Sequence, residues 1–414
     1  MDNFDVLGLA QPVLDAVKAQ GYDTPTPIQS KAIPTLLDGR DIIGLAQTGT
    51  GKTAAFVLPL LSRLYEDKAQ PPGKTCRALI LSPTRELAAQ IGDSVAAYSK
   101  GTGLKFGVIC GGVKYGPQIK VLSRGLHVLI ATPGRLMDHM KDERVRLDLT
   151  DTVILDEADQ MLDLGFVPAV RKILGEVAHP RQTVMFSATM PKPIAKLADE
   201  FMHRAQTIAV TPAAKPAEKV KQNVFYVDAG NKPGALVDIL APHAGKRTIV
   251  FTRTKRGADR VSRRLQEYGH RTESIHGDKS QGQRDRALNR FKSGSSSVLV
   301  ATDIAARGID ISDVALVVNY ELPNVAESYV HRIGRTARAG AEGLAISLVA
   351  PDERKMLQSI TKLTGIGPVD LNDAPPMPES AKPKPRRRRP VKSRNRGDKR
   401  MGKSNRTQER SANP

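Results

Sequence analysis

The 414-residue chain carries 63 Lys and Arg against 43 Asp and Glu, a formal net charge of +20, and is 40% hydrophobic. That length exceeds what one core organises and predicts two or three units. The sequence lacks the run of about eighteen apolar residues that a membrane span needs, and its two cysteines, Cys76 and Cys110, sit in no metal-like cluster and read as small core residues.

The acidic start, Met1-Asp-Asn-Phe-Asp5, has no charged-then-apolar leader, so a reduced, cytoplasmic compartment is expected rather than secretion. Leu7, Leu9, Val13, Leu14 and Val17 then fall at helical spacing, and Pro25 and Pro27 keep the next segment from extending that helix. This segment, Gly21-Tyr22-Asp-Thr-Pro25-Thr-Pro27-Ile-Gln29, ends in an amide. An amide offers a donor and an acceptor together, a pair that matches an adenine edge. An ordinary surface glutamine is the alternative.

Asp41-Ile-Ile-Gly-Leu45, then Ala46-Gln47-Thr48-Gly49-Thr50-Gly51-Lys52-Thr53, then Ala54 to Leu61 read as strand, glycine-rich loop and helix. Gly49 and Gly51 let the backbone curl and aim N–H groups at an anion, and the helix start adds its positive dipole end. Lys52 supplies a mobile charge for outer phosphates and Thr53 a hydroxyl for Mg²⁺. The strict phosphate-loop pattern begins with Gly, where this chain has Ala46.

Apolar runs at 77–81, 106–110, 127–130, 152–155 and 183–187 alternate with helical patterns such as Arg85 to Lys100 and Pro168 to Val177. This rhythm predicts an α/β unit, a parallel sheet with helices on both faces and ligands at the carboxyl ends of the strands. Asp156-Glu157-Ala158-Asp159 follows one such strand. Asp156 can hold Mg²⁺ through water and Glu157 can orient the attacking water. Alternatively the quartet starts a helix with dipole-friendly charges. Pro83-Thr84-Arg85-Glu86-Leu87, Gly111-Gly112 and Thr132-Pro133-Gly134-Arg135 each join small or proline residues to a hydroxyl or an arginine after a strand. These groups are typical phosphate and sugar ligands.

Residues 208–221 have few large apolar side chains and read as a linker between a first unit, 1–207, and a second, 222–365. Strands are expected at 223–227, 248–251, 271–275, 297–301, 314–319 and 343–349, without a second phosphate loop. The second unit should therefore complete the first unit's site. Tyr329-Val-His331-Arg332-Ile-Gly-Arg335-Thr-Ala-Arg338 gathers cations as an anion site would, with Arg335 and Arg338 on one helical face as candidate arginine fingers. Residues 366–414 form a proline-rich and then basic tail, expected to be disordered. From Ala381 onward it holds fourteen Lys or Arg against two acids, which suggests a polyanionic partner.

Ala46 to Thr53 followed by Asp156-Glu-Ala-Asp159 resembles the DEAD-box family of ATP-dependent RNA helicases, whose loops begin with Ala. The resemblance covers about Phe4 to Val349 and implies two RecA-like domains, each a mostly parallel sheet with helices on both faces. It implies ATP and Mg²⁺ as ligands, with ATP held by Phe4, Tyr22, Gln29, the loop Ala46 to Thr53, Asp310, Arg335 and Arg338. Catalysis would rest on Lys52, Asp156, Glu157, His331, Arg335 and Arg338, with Thr53 and Asp156 toward the metal. Pro83, Thr84, Arg85, Gly111, Gly112, Thr132, Pro133, Gly134, Arg135, Thr252, Arg284 (of the Gln281-to-Arg284 element) and Thr302 would face RNA. Ser187, Ala188 and Thr189, with Asp159, would couple hydrolysis to strand separation. Within the family, Ala337 in place of Gly and the basic tail resemble the bacterial RhlE-type group.

Tryptophan is absent and aromatics are 4% of residues, so readout through phosphates and 2′-hydroxyls is expected, with low sequence specificity. Expected partners are single-stranded or short duplex RNA, acted on by a monomer, within ribosomal or RNA-degradation assemblies. Two competing readings stay open at this point: a DNA-tracking helicase on the same core, and a basic RNA annealer or ATP-gated clamp.

Overall fold

The computed structural model describes residues 3–46, 49–67, 69–210, 220–306, 314–336, 343–364 and 369–370. Among them, fourteen strands form two seven-stranded sheets. The first contains β1 (Ile42–Leu45), β2 (Cys76–Leu81), β3 (Phe106–Ile109), β4 (Leu126–Ala131), β5 (Thr152–Leu155), β6 (Gln182–Ser187) and β7 (Gln206–Ala209). Their order across the sheet is β3-β4-β2-β5-β6-β1-β7. The second contains β8 (Val220–Tyr226), β9 (Thr248–Thr252), β10 (Thr272–Ile275), β11 (Val298–Thr302), β12 (Leu316–Asn319), β13 (Gly343–Val349) and β14 (Val369–Asp370). Its order is β10-β11-β9-β12-β13-β8-β14. Each described ladder is parallel.

Parallel strands need crossovers, and the helices that supply them cover both faces of the sheet. In β2, Ile80 packs into one core with Phe56 and Phe186, while Leu79 and Leu81 pack into another with Leu129 and Met185. The second sheet repeats the device, with Ile249 and Phe251 on one face of β9 and Val250 on the other. Side chains of one strand alternate between faces, so a strand buried on both reads as a continuous apolar run.

The register decides where the loops meet. Leu45 lies opposite Ser187, and Leu155 lies opposite both Leu81 and Met185. The segments that leave β1, β2, β5 and β6 therefore share one edge of the first sheet.

Strand reaches further than the linker pattern predicted. β7 runs to Ala209 and β8 starts at Val220, so both ends of the expected 208–221 linker are strand, while 211–219 lie outside the described residues. β7 is an edge strand with only Ile208 buried, so its sequence lacks the apolar run that marks an inner strand. β14 adds residues 369–370 to the second sheet, beyond the expected boundary at 365.

Candidate functional site

The loop after β1 has the expected curl: Gly49 and Gly51 adopt φ of 85° and 87°. The helix Lys52–Asp67 starts at once, aiming its amino end into the loop. A Cβ on Gly51 would lie 2.5 Å from Gln29 Nε2, so only glycine admits that amide. Gln29 is buried, its Nε2 donates to Gly51 O at 3.1 Å, and its Oε1 accepts from Thr26 N at 2.8 Å. The amide expected to read an adenine edge thus also ties the helix Pro27–Leu37 to the loop. One donor and one acceptor site remain on it. Phe4 is buried, whereas Tyr22 is exposed and stands 6.4 Å from the Tyr98 ring.

Opposite the loop, at the end of β5, Asp156 and Glu157 are buried. Asp156 Oδ1 accepts from Glu157 N at 3.0 Å. Burial pushes the Asp156 carboxyl up to about 7; the Lys52 charge opposes that rise, and Glu157 and Asp159 add to it. Glu157 sits at φ 53°, ψ 54°, a left-handed backbone that is uncommon for a side chain of this size. The alternative reading of the acidic quartet as a helix start is met, since Ala158–Asp163 is a short helix preceded by Glu157.

Two buried polar atoms here lack a hydrogen-bond partner: Lys52 Nζ and Glu157 Oε2. Leaving buried polar groups unmade is costly, and such groups collect where a ligand completes them. The donor set also suits Mg²⁺. One hydroxyl, Thr53, and one carboxylate, Asp156, flank the loop, and Mg²⁺ keeps most of its shell as water and substrate phosphate. No cage of three or more His, Cys, Asp or Glu occurs among the described residues.

The segment expected to couple, Ser187 to Thr189, is joined to this site through Asp159. Its Oδ2 accepts from Ala188 N at 3.2 Å, Thr189 N at 2.9 Å and Thr189 Oγ1 at 3.0 Å, while Asp159 N donates to Ser187 Oγ at 3.2 Å.

Three of the segments expected to face RNA come together. Gly112 adopts φ of 76°, and a Cβ there would fall 2.0 Å from Arg85 Nη1, so the guanidinium lies against the glycine pair. Arg135 Nη1 donates to Val113 O at 2.9 Å, and its guanidinium carbon lies 4.0 Å from the Tyr115 ring centre. Thr84 precedes the helix Arg85–Tyr98 and accepts from Leu87 N, and Thr132 precedes the helix Pro133–Lys141. Pro83 and Pro133 are buried and Gly134 is exposed. Tyr115 carried no signal in the sequence, because its packing on Arg135 depends on the starts of two helices, Tyr115–Leu122 and Pro133–Lys141, meeting.

In the second half, Thr252 and Thr302 end β9 and β11, adjacent strands in register. Arg284 is buried, and its nearest acid is Glu86 of the first half: Nε donates to Glu86 Oε1 at 2.8 Å and Nη2 lies 2.7 Å from the same oxygen. The expectation that Arg284 meets RNA therefore acquires a protein partner. His331 lies on the helix Ala326–Ile333, and Arg335 is buried just past its end.

The helix expected to carry Arg335 stops at Ile333, Gly334 caps it, and Thr336 Oγ1 donates to Val314 O at 2.5 Å, so Arg335 stands outside the helix. Arg338 lies outside the described residues, as do Gln47, Thr48 and Asp310. The anion awaited by Arg332 is internal: Asp303 accepts from its Nε at 2.5 Å and its Nη2 at 2.8 Å, and Asn319 Oδ1 accepts from Nη1 at 3.0 Å. Arg332 is only 1% exposed. Its place between Tyr329 and Ile333 on the buried side of the helix was the available signal.

Comparison with known proteins agrees with this geometry. Residues 26–197 match the family model "DEAD/DEAH box helicase" and residues 231–340 match "Helicase conserved C-terminal domain". The chain is 43% identical over 380 residues to the DEAD-box ATP-dependent RNA helicase CshA of Bacillus cereus, covering 92% of this chain and 71% of that protein. It is 42% identical over 367 residues to the ATP-dependent RNA helicase dbp2 of Emericella nidulans, covering 88% of this chain and 65% of that protein. It thus spans about two thirds of the length of these relatives. Among solved structures, S. cerevisiae Dbp5 bound to RNA and ADP BeF3 superposes with a TM-score of 0.78 at 33% identity, over 89% of this chain and 95% of that one. With two parallel sheets matching two RecA-like domains and motifs in family order, the chain belongs to the DEAD-box family of ATP-dependent RNA helicases.

Proposed function

We propose that this chain is an RNA-stimulated ATPase that separates and remodels short RNA duplexes locally and without processive tracking. The observation that carries the reading is the convergence of Lys52 Nζ and Glu157 Oε2, both buried without partners, on Asp156 beside a glycine loop. Lys52 would neutralise the outer phosphates of ATP, and Glu157 would orient the attacking water and accept its proton. Phe4, Tyr22, Gln29, the loop Ala46 to Thr53 and Asp310 would hold the nucleotide. Arg335 and Arg338, with His331 beside them, would stabilise charge on the γ-phosphate. Thr53 and Asp156 would hold Mg²⁺, at Asp156 through water, and the ion would offset the phosphate charge.

RNA would run along Arg85, Gly111, Gly112, Thr132 and Arg135 to Thr252, Arg284 and Thr302. The clustering of Arg85 and Arg135 around the loop 111–113 supports a backbone path of low sequence specificity. Asp159 would carry the state of the phosphate site to Ser187, Ala188 and Thr189. Further parts of the reading are a monomer of the RhlE-type group, two catalytic units at 1–207 and 222–365, and work in cytoplasmic ribosomal or RNA-degradation assemblies. Two cysteines without a disulfide and a basic tail support the last of these.

The test is ATP turnover with RNA or DNA of one sequence. RNA should stimulate strongly and DNA weakly, and Glu157→Gln should abolish turnover while sparing RNA binding. Equal stimulation by DNA, or rapid unwinding of long DNA duplexes, would sink the reading.

A further inference from the structure

The second sheet carries a groove of about 350 Å³ between the helices Lys232–Leu240 and Lys255–Glu267. Its floor is apolar, made by Pro233, Leu236, Val261, Leu265 and the Tyr320 ring. Its rim is net cationic, with Arg260, Arg263 and Arg264 against one acid, Glu267, all exposed.

The charges at this rim are unevenly satisfied. Arg264 lies 3.3 Å from Glu267 and packs on Tyr268. Arg260 and Arg263 have no carboxylate partner among the described residues. Asp259, the other acid on the helix, is turned to the far side, where it accepts from Ser274 and contacts His276 and Lys279. Burial and the Glu321 charge push the Tyr320 hydroxyl up, and the Arg260 charge opposes that rise.

We propose that this groove docks an acidic segment of a protein partner that inserts an apolar side chain between the two helices. Charge complementarity selects the acids, and the apolar floor selects the anchor. From Ala381 onward the chain's own tail is strongly basic and cannot serve. RNA is disfavoured: phosphates would meet the rim but gain nothing from the floor, and Thr252, Arg284 and Thr302 line none of it. The floor is also joined to the site. Tyr320 O accepts from Lys232 at 2.8 Å, and the next residue, Glu321, accepts from Arg253 N at 2.7 Å and from Arg332 at 2.6 Å.

The probe is a short fluorescein-labelled Glu/Asp peptide with a central Leu-Phe pair, titrated by anisotropy into the full chain pre-saturated with single-stranded RNA. Binding should persist with RNA present and weaken about tenfold or more in the Arg260→Glu/Arg263→Glu double variant. A peptide with Ser in place of Leu-Phe should bind about tenfold more weakly. Both arginines are exposed, so the variant should keep the parent's melting temperature and RNA-stimulated turnover. Unchanged affinity in that variant, equal binding of the Ser peptide, or displacement of the peptide by RNA would each overturn the proposal. The last result would assign the groove to the nucleic-acid path.

Discussion

Glu86 and Arg284, 198 residues apart, form a buried ion pair that joins the two halves of the catalytic unit. Gln281 Nε2 reaches the same Glu86 oxygen at 3.4 Å. Each charge alone would be a liability in a buried setting, because desolvation outweighs attraction unless the partner stays in place. The ion pair therefore favours arrangements in which the halves meet and penalises those in which one group is buried alone.

A double-mutant cycle tests whether the pair acts in turnover. Glu86→Ala and Arg284→Ala should each lower RNA-stimulated ATP turnover about tenfold, and the double variant should be little worse than either, a coupling of about 1.5 kcal/mol. If the effects add to within about 0.5 kcal/mol, the two residues act separately and Arg284 works on RNA alone.

At Glu157 stability and activity should separate. Replacing a side chain at φ 53° by Gly relieves backbone strain of about 1–2 kcal/mol and returns about 0.5–1 kcal/mol of that through unfolded-state freedom. Glu157→Gly should thus leave stability to denaturant unchanged or raise it by up to about 1 kcal/mol. Turnover should fall about 10²–10⁴-fold with the loss of the general base. A clear loss of stability would show that the carboxylate holds the fold and is not strained for chemistry.

Asp159 should divide hydrolysis from strand separation. Asp159→Ala leaves the donors of Ala188 and Thr189 without their acceptor, at a cost of about 1–3 kcal/mol in stability. ATP turnover should fall modestly, while duplexes separated per ATP hydrolysed should fall much further. A constant ratio of the two rates would remove Asp159 from the coupling path.

His127 sets one arm of the pH dependence of stability. Its Nδ1 accepts from Lys105 N at 2.9 Å, which only the neutral ring can do. Burial first, then the Lys105 and Arg77 charges, hold its pKa below the usual histidine value. The unfolded chain therefore binds that proton more readily than the native one. The stabilisation is complete above about pH 6.5 and is lost as pH falls through the lower native value. His127→Asn, which keeps an acceptor but does not titrate, should flatten the denaturation midpoint between about pH 5 and 7 relative to the parent.

Deleting residues 381–414 should weaken RNA binding and flatten its salt dependence, by about 0.7 in log–log slope for each single-strand phosphate that the tail neutralises. Turnover at saturating RNA should persist. Its disappearance would make the tail part of the catalytic unit.

Much of this protein was open to reading in one dimension. A strand buried on both faces must be apolar throughout, so β2, β4, β5 and β6 stood out as runs. The glycine loop and the acidic quartet are local because each uses consecutive residues at a strand end, and the arginine segment because it is one run on and after a single helix. Local chemistry alone was enough to suggest the family and the phosphate site. Edge strand β7 escaped notice because an edge buries only one residue in four.

Tertiary structure decided the rest, since partner choice depends on distance in space. Arg332 and Arg335 are alike in sequence, yet β11 and β12, each paired with β9, end where Asp303 and Asn319 meet Arg332, whereas Arg335 stands past the end of the helix at Ile333. Arg284 meets Glu86 only because helices packed on two different sheets come together. A charge pattern states that an opposite charge is needed; only the packing of distant strands and helices determines whether the protein or its ligand supplies it.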